Sequence, residues 1–284
     1  MTHPRPTAVD RLRQVTVTLA EIFCVVGTLV GVGVLGDSVA TSSGGALAAD
    51  ATLLAPAGPA FAIWTPIYVG LAAYTVWQWR PAQATAPRQR RIGWLAAVSM
   101  VLNAIWLLVT QAGWLWVSVL VIGVLLATLV GIVAVLHTTA PTRADSWVEP
   151  ILTDGTFGGY LGWVTVATCA NVTAALVDAG VRPGGRTAAL AAVLVLLAAA
   201  GAGTALAHRL GGRLAVGAAL VWGLLWIAAA RTADQPRSVV TAVTAVLAAL
   251  VVGASTLAAR RERLRRTPVT PAPDAARPES ARRP

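Results

Sequence analysis

The chain has 284 residues, of which 56% are hydrophobic and 12% charged, and its mean hydropathy is +0.70. Soluble domains carry about twice that share of charge, so a water-soluble globule is excluded. The net charge of +10 comes from arginine with no lysine, and it is distributed over loops and termini; a single nucleic-acid-binding patch is therefore excluded as its origin.

Eight apolar runs predict spans at about 15–36, 60–79, 92–110, 114–137, 157–177, 187–207, 211–230 and 238–259. Stretches of about 20 apolar residues cross roughly 30 Å of hydrocarbon as helices. Backbone groups in lipid must be paired internally, which leaves helices or a closed barrel. The runs are rich in Leu, Ala and Val and lack period-two alternation, which argues against a barrel. The predicted fold class is an all-α integral membrane protein with eight transmembrane helices.

Span one carries Glu21 and Cys24. It is longer than a signal-peptide core and has no clean cleavage site, so it is read as a retained helix. Glu21 is the one acid well inside a predicted span; it either snorkels to the inner surface or relays protons. The connection from Asp37 to Pro59 has no basic residue. A loop of that length is either disordered or a functional cover.

Span two holds Phe61-Ala-Ile-Trp64-Thr-Pro66-Ile-Tyr68, then Tyr74, Trp77 and Trp79. Phe61, Trp64 and Tyr68 share one face at helical spacing. They read either as a pocket wall or as an interfacial aromatic belt. Trp77 and Trp79 fit the belt at the inner end. On span three, Asn103 and Trp106 share a face, and a deep amide needs another helix or a ligand as partner. Gln111, Trp114 and Trp116 read as interfacial.

Span five contains Tyr160, Trp163, Thr168 and Asn171, with Gly158, Gly159 and Gly162 permitting close helix approach. Gly155-x-x-Gly158-Gly159 lacks the strand and the Lys of a phosphate loop. Nine of the eleven tryptophans precede the divide at 178–186; Trp222 and Trp226 follow it. Spans six to eight read as a fused bundle without its own site, or as a homodimerising surface through faces such as Gly201-Ala-Gly203. The tail 260–284 reads as disordered from its Arg, Pro and Ala content.

With an internal N-terminus, eighteen arginines fall on inside segments and four outside. That bias predicts a multi-pass cell-membrane protein with both termini cytoplasmic. The sequence offers no Ser/His/Asp set at suitable depth, no Walker motif and no cluster with metal-ligand spacing. No catalytic residue, metal or required cofactor is assigned, and the expected partners are the lipid bilayer and a hydrophobic small molecule, with no nucleic acid. Cys24 and Cys169, both inside spans, are read as small hydrophobes.

Three segments together resemble the TspO/MBR family of tryptophan-rich sensory and translocator proteins. They are Phe61–Trp77, Leu102-Asn103-Ala-Ile-Trp106, and Tyr160 to Asn171. Their order and their placement on spans two, three and five match the family over about 15–178. Ala60 stands where the family usually has Trp, and Gly159 where it has Pro. The resemblance implies a TspO-like five-helix bundle at 15–178, followed by three additional helices at 187–259, with an N-tail at 1–14. It also implies a cavity for a porphyrin, another tetrapyrrole or a sterol-like molecule. Carried over residue by residue, its ligand-binding candidates are Trp64, Tyr68, Asn103, Trp106, Trp163 and Asn171.

Overall fold

The computed structural model describes residues 5–31, 41, 43–141 and 147–266. Among them are eight helices long and apolar enough to cross a membrane. We label them α1 (Ala8–Gly31), α2 (Trp64–Trp77, entered through a 3-10 turn Gly58–Ile63), α3 (Pro87–Gln111) and α4 (Leu115–Thr138). There follow α5 (Thr156–Asp178, after a π-helical turn Pro150–Gly155), α6 (Gly185–Arg209), α7 (Leu214–Ala233) and α8 (Val239–Arg266).

Two ends differ from the sequence reading. Helix α1 begins at Ala8, inside the predicted N-tail. The reason is a reciprocal cap: the Asp10 amide donates to Thr7 Oγ1 (3.2 Å) and the Thr7 amide to Asp10 Oδ2 (2.9 Å), which satisfies donors that a helix start leaves open. Helix α8 runs to Arg266, into the segment read as disordered. Arg263, Arg265 and Arg266 face the negative end of the helix dipole there, and Arg266 pairs with Glu262 one turn away. Residues 267–284 of the predicted tail lie outside the described residues.

The first five helices close into a ring. α1 packs on α3, α3 on α4 and α4 on α5, while α2 lies against α1 and α5. Helix α5 is also the wall shared with the rest: α7 packs on α5, α8 on α7, and α6 on α8. Gly162 makes that wall close. A Cβ there would stand 2.3 Å from the Val216 carbonyl, so only glycine lets the two backbones touch. Packing of this kind drives helix association where lipid is as apolar as the side chains. The α6–α7 turn uses Gly211 and Gly212 at φ +68° and +65°.

Helix α1 is polar on its buried face. Asp10, Arg13, Gln14, Glu21 and Cys24 point into the bundle, while Val9, Leu12, Leu19, Ile22 and Val26 face outward. This inverts the soluble amphipathic pattern. Its lower half is tied to the α2–α3 connection: Gln14 Nε2 donates to the Gln78 carbonyl (2.7 Å) and Arg13 to the Ala84 carbonyl (2.9 Å). Asp10 accepts two 2.7 Å bonds from Arg90.

Candidate functional site

Above that tie, α2 and α5 turn their rings toward each other. Trp64 stacks on Tyr68, with centroids 5.2 Å apart and planes at 12°. The helical spacing of four residues produces that pair. Trp64 also meets Tyr160 and Trp163 edge to face, at 5.8 and 6.1 Å. Phe61 meets Trp163 the same way at 5.7 Å. These are the preferred geometries for aromatic quadrupoles.

Two polar sets border the rings. Asn103 Nδ2 donates to Tyr68 Oη (3.1 Å) and to Cys24 Sγ (3.4 Å), joining α3 to α2 and α1. Its Oδ1 is buried without a hydrogen-bond partner among the described residues. On the other side, Trp106 Nε1 donates to Asn171 Oδ1 (2.8 Å), and Asn171 Nδ2 donates to Ser118 Oγ (2.9 Å). That relay spans α3, α5 and α4. Trp163, 1% exposed, keeps its Nε1 buried and unpartnered.

Residues 43–57 of the connection between α1 and α2 lie over this region. Ser43 Oγ donates to the Thr110 carbonyl (2.5 Å). Arg231 of α7 is fully buried and donates to the carbonyls of Thr52 and Ala49, both at 2.9 Å. The Ala57 amide donates to the Trp226 carbonyl (3.2 Å), and Trp222 Nε1 to the Ala60 carbonyl (2.9 Å). Between loop and rings remains a void of about 40 Å³, bounded by Ala46, Pro56, Phe61, Trp106, Trp163 and Asn171. That volume holds about one or two waters.

A family model described as TSPO-like protein matches residues 15–257. The chain belongs to the TSPO-like protein family. The match does not stop at α5 but runs through α6 and α7 and into α8. No curated protein and no solved structure matches the chain.

Within this TSPO-like bundle the six candidate residues fall in one region. Trp64, Tyr68, Trp163 and Asn103 form one connected set. Trp106 and Asn171 bond each other and share the void with Trp163. Among the described residues the space beside the rings is the void of about 40 Å³; elsewhere the rings pack on one another, because edge-to-face and stacked contacts recover the dispersion that an empty space would forfeit.

Other readings change. Trp77, read as an inner-belt residue, is buried beside Tyr74 at 6.4 Å. Trp79 does sit at the rim, donating to Thr18 Oγ1 (3.0 Å) under Arg11. Gln111, read as interfacial, is half-buried at the end of α3 and donates to the Val30 carbonyl near the end of α1 (2.7 Å). Glu21 does not snorkel: it is 6% exposed, and among the described residues neither carboxylate oxygen has a hydrogen-bond partner. Ser118 and Arg231 are additions. A serine on an apolar helix gave no signal of its own, and Arg231 read as a loop arginine at the predicted end of span seven.

Proposed function

We propose that this TSPO-like protein binds a flat hydrophobic molecule between α2, α3 and α5, beneath the loop of residues 43–57, and serves as its sensor or translocator. A porphyrin or other tetrapyrrole, or a sterol-like molecule, has the required shape. One observation carries the reading. A packed cluster of aromatic faces is flanked by two buried polar atoms with unspent capacity, the Trp163 Nε1 donor and the Asn103 Oδ1 acceptor. Buried polar groups are nearly always satisfied, so such a pair beside stacked rings suits a ligand with a flat body and a few polar edges. The rings and the loop must part to admit it, with the ligand replacing ring–ring contacts by ring–ligand ones.

The test is a titration of the purified chain with protoporphyrin IX, read by tryptophan fluorescence. Trp64→Ala and Asn103→Ala should each weaken binding, while Trp79→Ala at the rim should not. Equal affinity in all four proteins would remove the site.

A second reading, solute transport coupled to protons, is favoured by Glu21 alone. An ionisable side chain buried in mid-span without a partner is a functional candidate by default. Uptake into proteoliposomes that vanishes in Glu21→Gln would favour it over the sensor.

A further inference from the structure

At the arginine-rich end of the bundle a second cavity, of about 620 Å³, opens between the last turn of α4, the first turn of α7 and the end of α8. Arg88, Arg213, Arg260, Arg263, His137 and Asp154 line it. Its walls are built, not incidental. Arg88, 2% exposed, donates to Glu149 (3.3 Å) and Asp154 (2.8 Å). Asp154 also accepts from Arg213, so one carboxylate serves two guanidiniums. The extension of α8 beyond its apolar stretch then brings Arg260 and Arg263, one turn apart, to the same wall. Among the described residues, cations therefore outnumber acids around the space.

Hydrogen-bonding capacity is also left over. The Arg213 side chain is 10% exposed, and among the described residues neither its Nε nor His137 Nδ1 has a hydrogen-bond partner. His137 and Arg263 both crowd Gly211, where an added Cβ would lie 2.8 Å from each. Leu136, Pro141, Pro150 and Leu214 supply apolar lining beside the cations. The cavity stands at the helix ends, where a spanning bundle meets lipid headgroups.

We propose that this cavity binds a phosphate-bearing anion. Guanidinium groups recognise phosphate oxygens by paired, charge-assisted hydrogen bonds, and basic pockets between transmembrane helices suit anionic headgroups. The apolar lining fits a phosphate that carries an organic substituent. The source is either an anionic phospholipid or a soluble phosphate. This site is separate from the aromatic cluster and does not depend on what that cluster binds.

Two measurements on the full chain test it. The first counts phosphatidylglycerol molecules retained, by native mass spectrometry, from nanodiscs of phosphatidylglycerol and phosphatidylcholine. The second measures binding of radiolabelled inorganic phosphate in discs of phosphatidylcholine alone. Arg260→Gln and Arg263→Gln should each weaken binding about five-fold, and Arg261→Gln and Arg265→Gln, which do not line the cavity, should not. That pattern with phosphatidylglycerol assigns a lipid; the same pattern with phosphate assigns a soluble anion. Wild-type protein that retains neither probe would overturn the proposal. So would equal losses in all four variants, which would mean a diffuse basic surface.

Discussion

Arg231 and Thr52 are joined by a 2.9 Å hydrogen bond across 179 positions of the chain. The same guanidinium reaches the carbonyls of Ala49 and Pro236. An arginine near the end of α7 therefore fixes the loop that lies over the aromatic cluster of the first five helices. With Trp222 and Trp226 it ties α7 to that loop.

Replacing Arg231 should loosen that cover. Arg231→Met removes charge-assisted bonds to one buried and two part-buried carbonyls, each worth up to about 1.5–3 kcal/mol. Hydrogen exchange should rise in residues 46–56 while α3 and α4 stay protected. Unchanged exchange in that loop would show that the tryptophans hold it alone.

The relay from Trp106 through Asn171 to Ser118 is a fully used set of side-chain bonds. Asn171→Leu leaves the buried Trp106 N–H without its acceptor and should cost roughly 1–3 kcal/mol in thermal unfolding. Ser118→Ala should cost less, about 1 kcal/mol. A smaller loss for Asn171→Leu than for Ser118→Ala would contradict the relay.

Glu21 runs the other way. Its buried carboxylate has no hydrogen-bond partner, so removing it ends an unpaid desolvation. Glu21→Leu should raise stability by roughly 1–3 kcal/mol, seen as a higher melting temperature in detergent at pH 8. A lower melting temperature would mean that Glu21 holds an ion or proton that stabilises the fold.

Hydropathy alone made the eight helices legible, because each must be long and apolar to cross lipid. The facing of Trp64 and Tyr68 followed from a spacing of four. The closure of the rings on one another was not legible: it depends on how close α2 and α5 come, which is tertiary. Trp77 looked like a belt residue because sequence gives its depth but not its facing. The Arg231 bonds were hidden for another reason. They join loop carbonyls, which every residue has, to a side chain that topology alone could explain.

Gly162 tests the union of the two halves. Gly162→Ala puts a Cβ 2.3 Å from the Val216 carbonyl, a backbone clash that cannot be relieved by a rotamer. The expected loss is about 1–3 kcal/mol in thermal unfolding. Gly159→Ala, with open space around its Cβ, should be neutral. Equal melting temperatures for both variants would show that α5 and α7 do not touch there.

The most direct measurement is to illuminate the wild-type protein with bound protoporphyrin IX and map oxidised tryptophans by peptide mass spectrometry. Trp114 and Trp147 are the more exposed, at 60% and 72%, while Trp163 is at 1%. Oxidation concentrated on Trp64 and Trp163 is expected if the ligand sits among the buried rings. Oxidation that follows exposure instead, with Trp114 and Trp147 first and Trp163 spared, would contradict it.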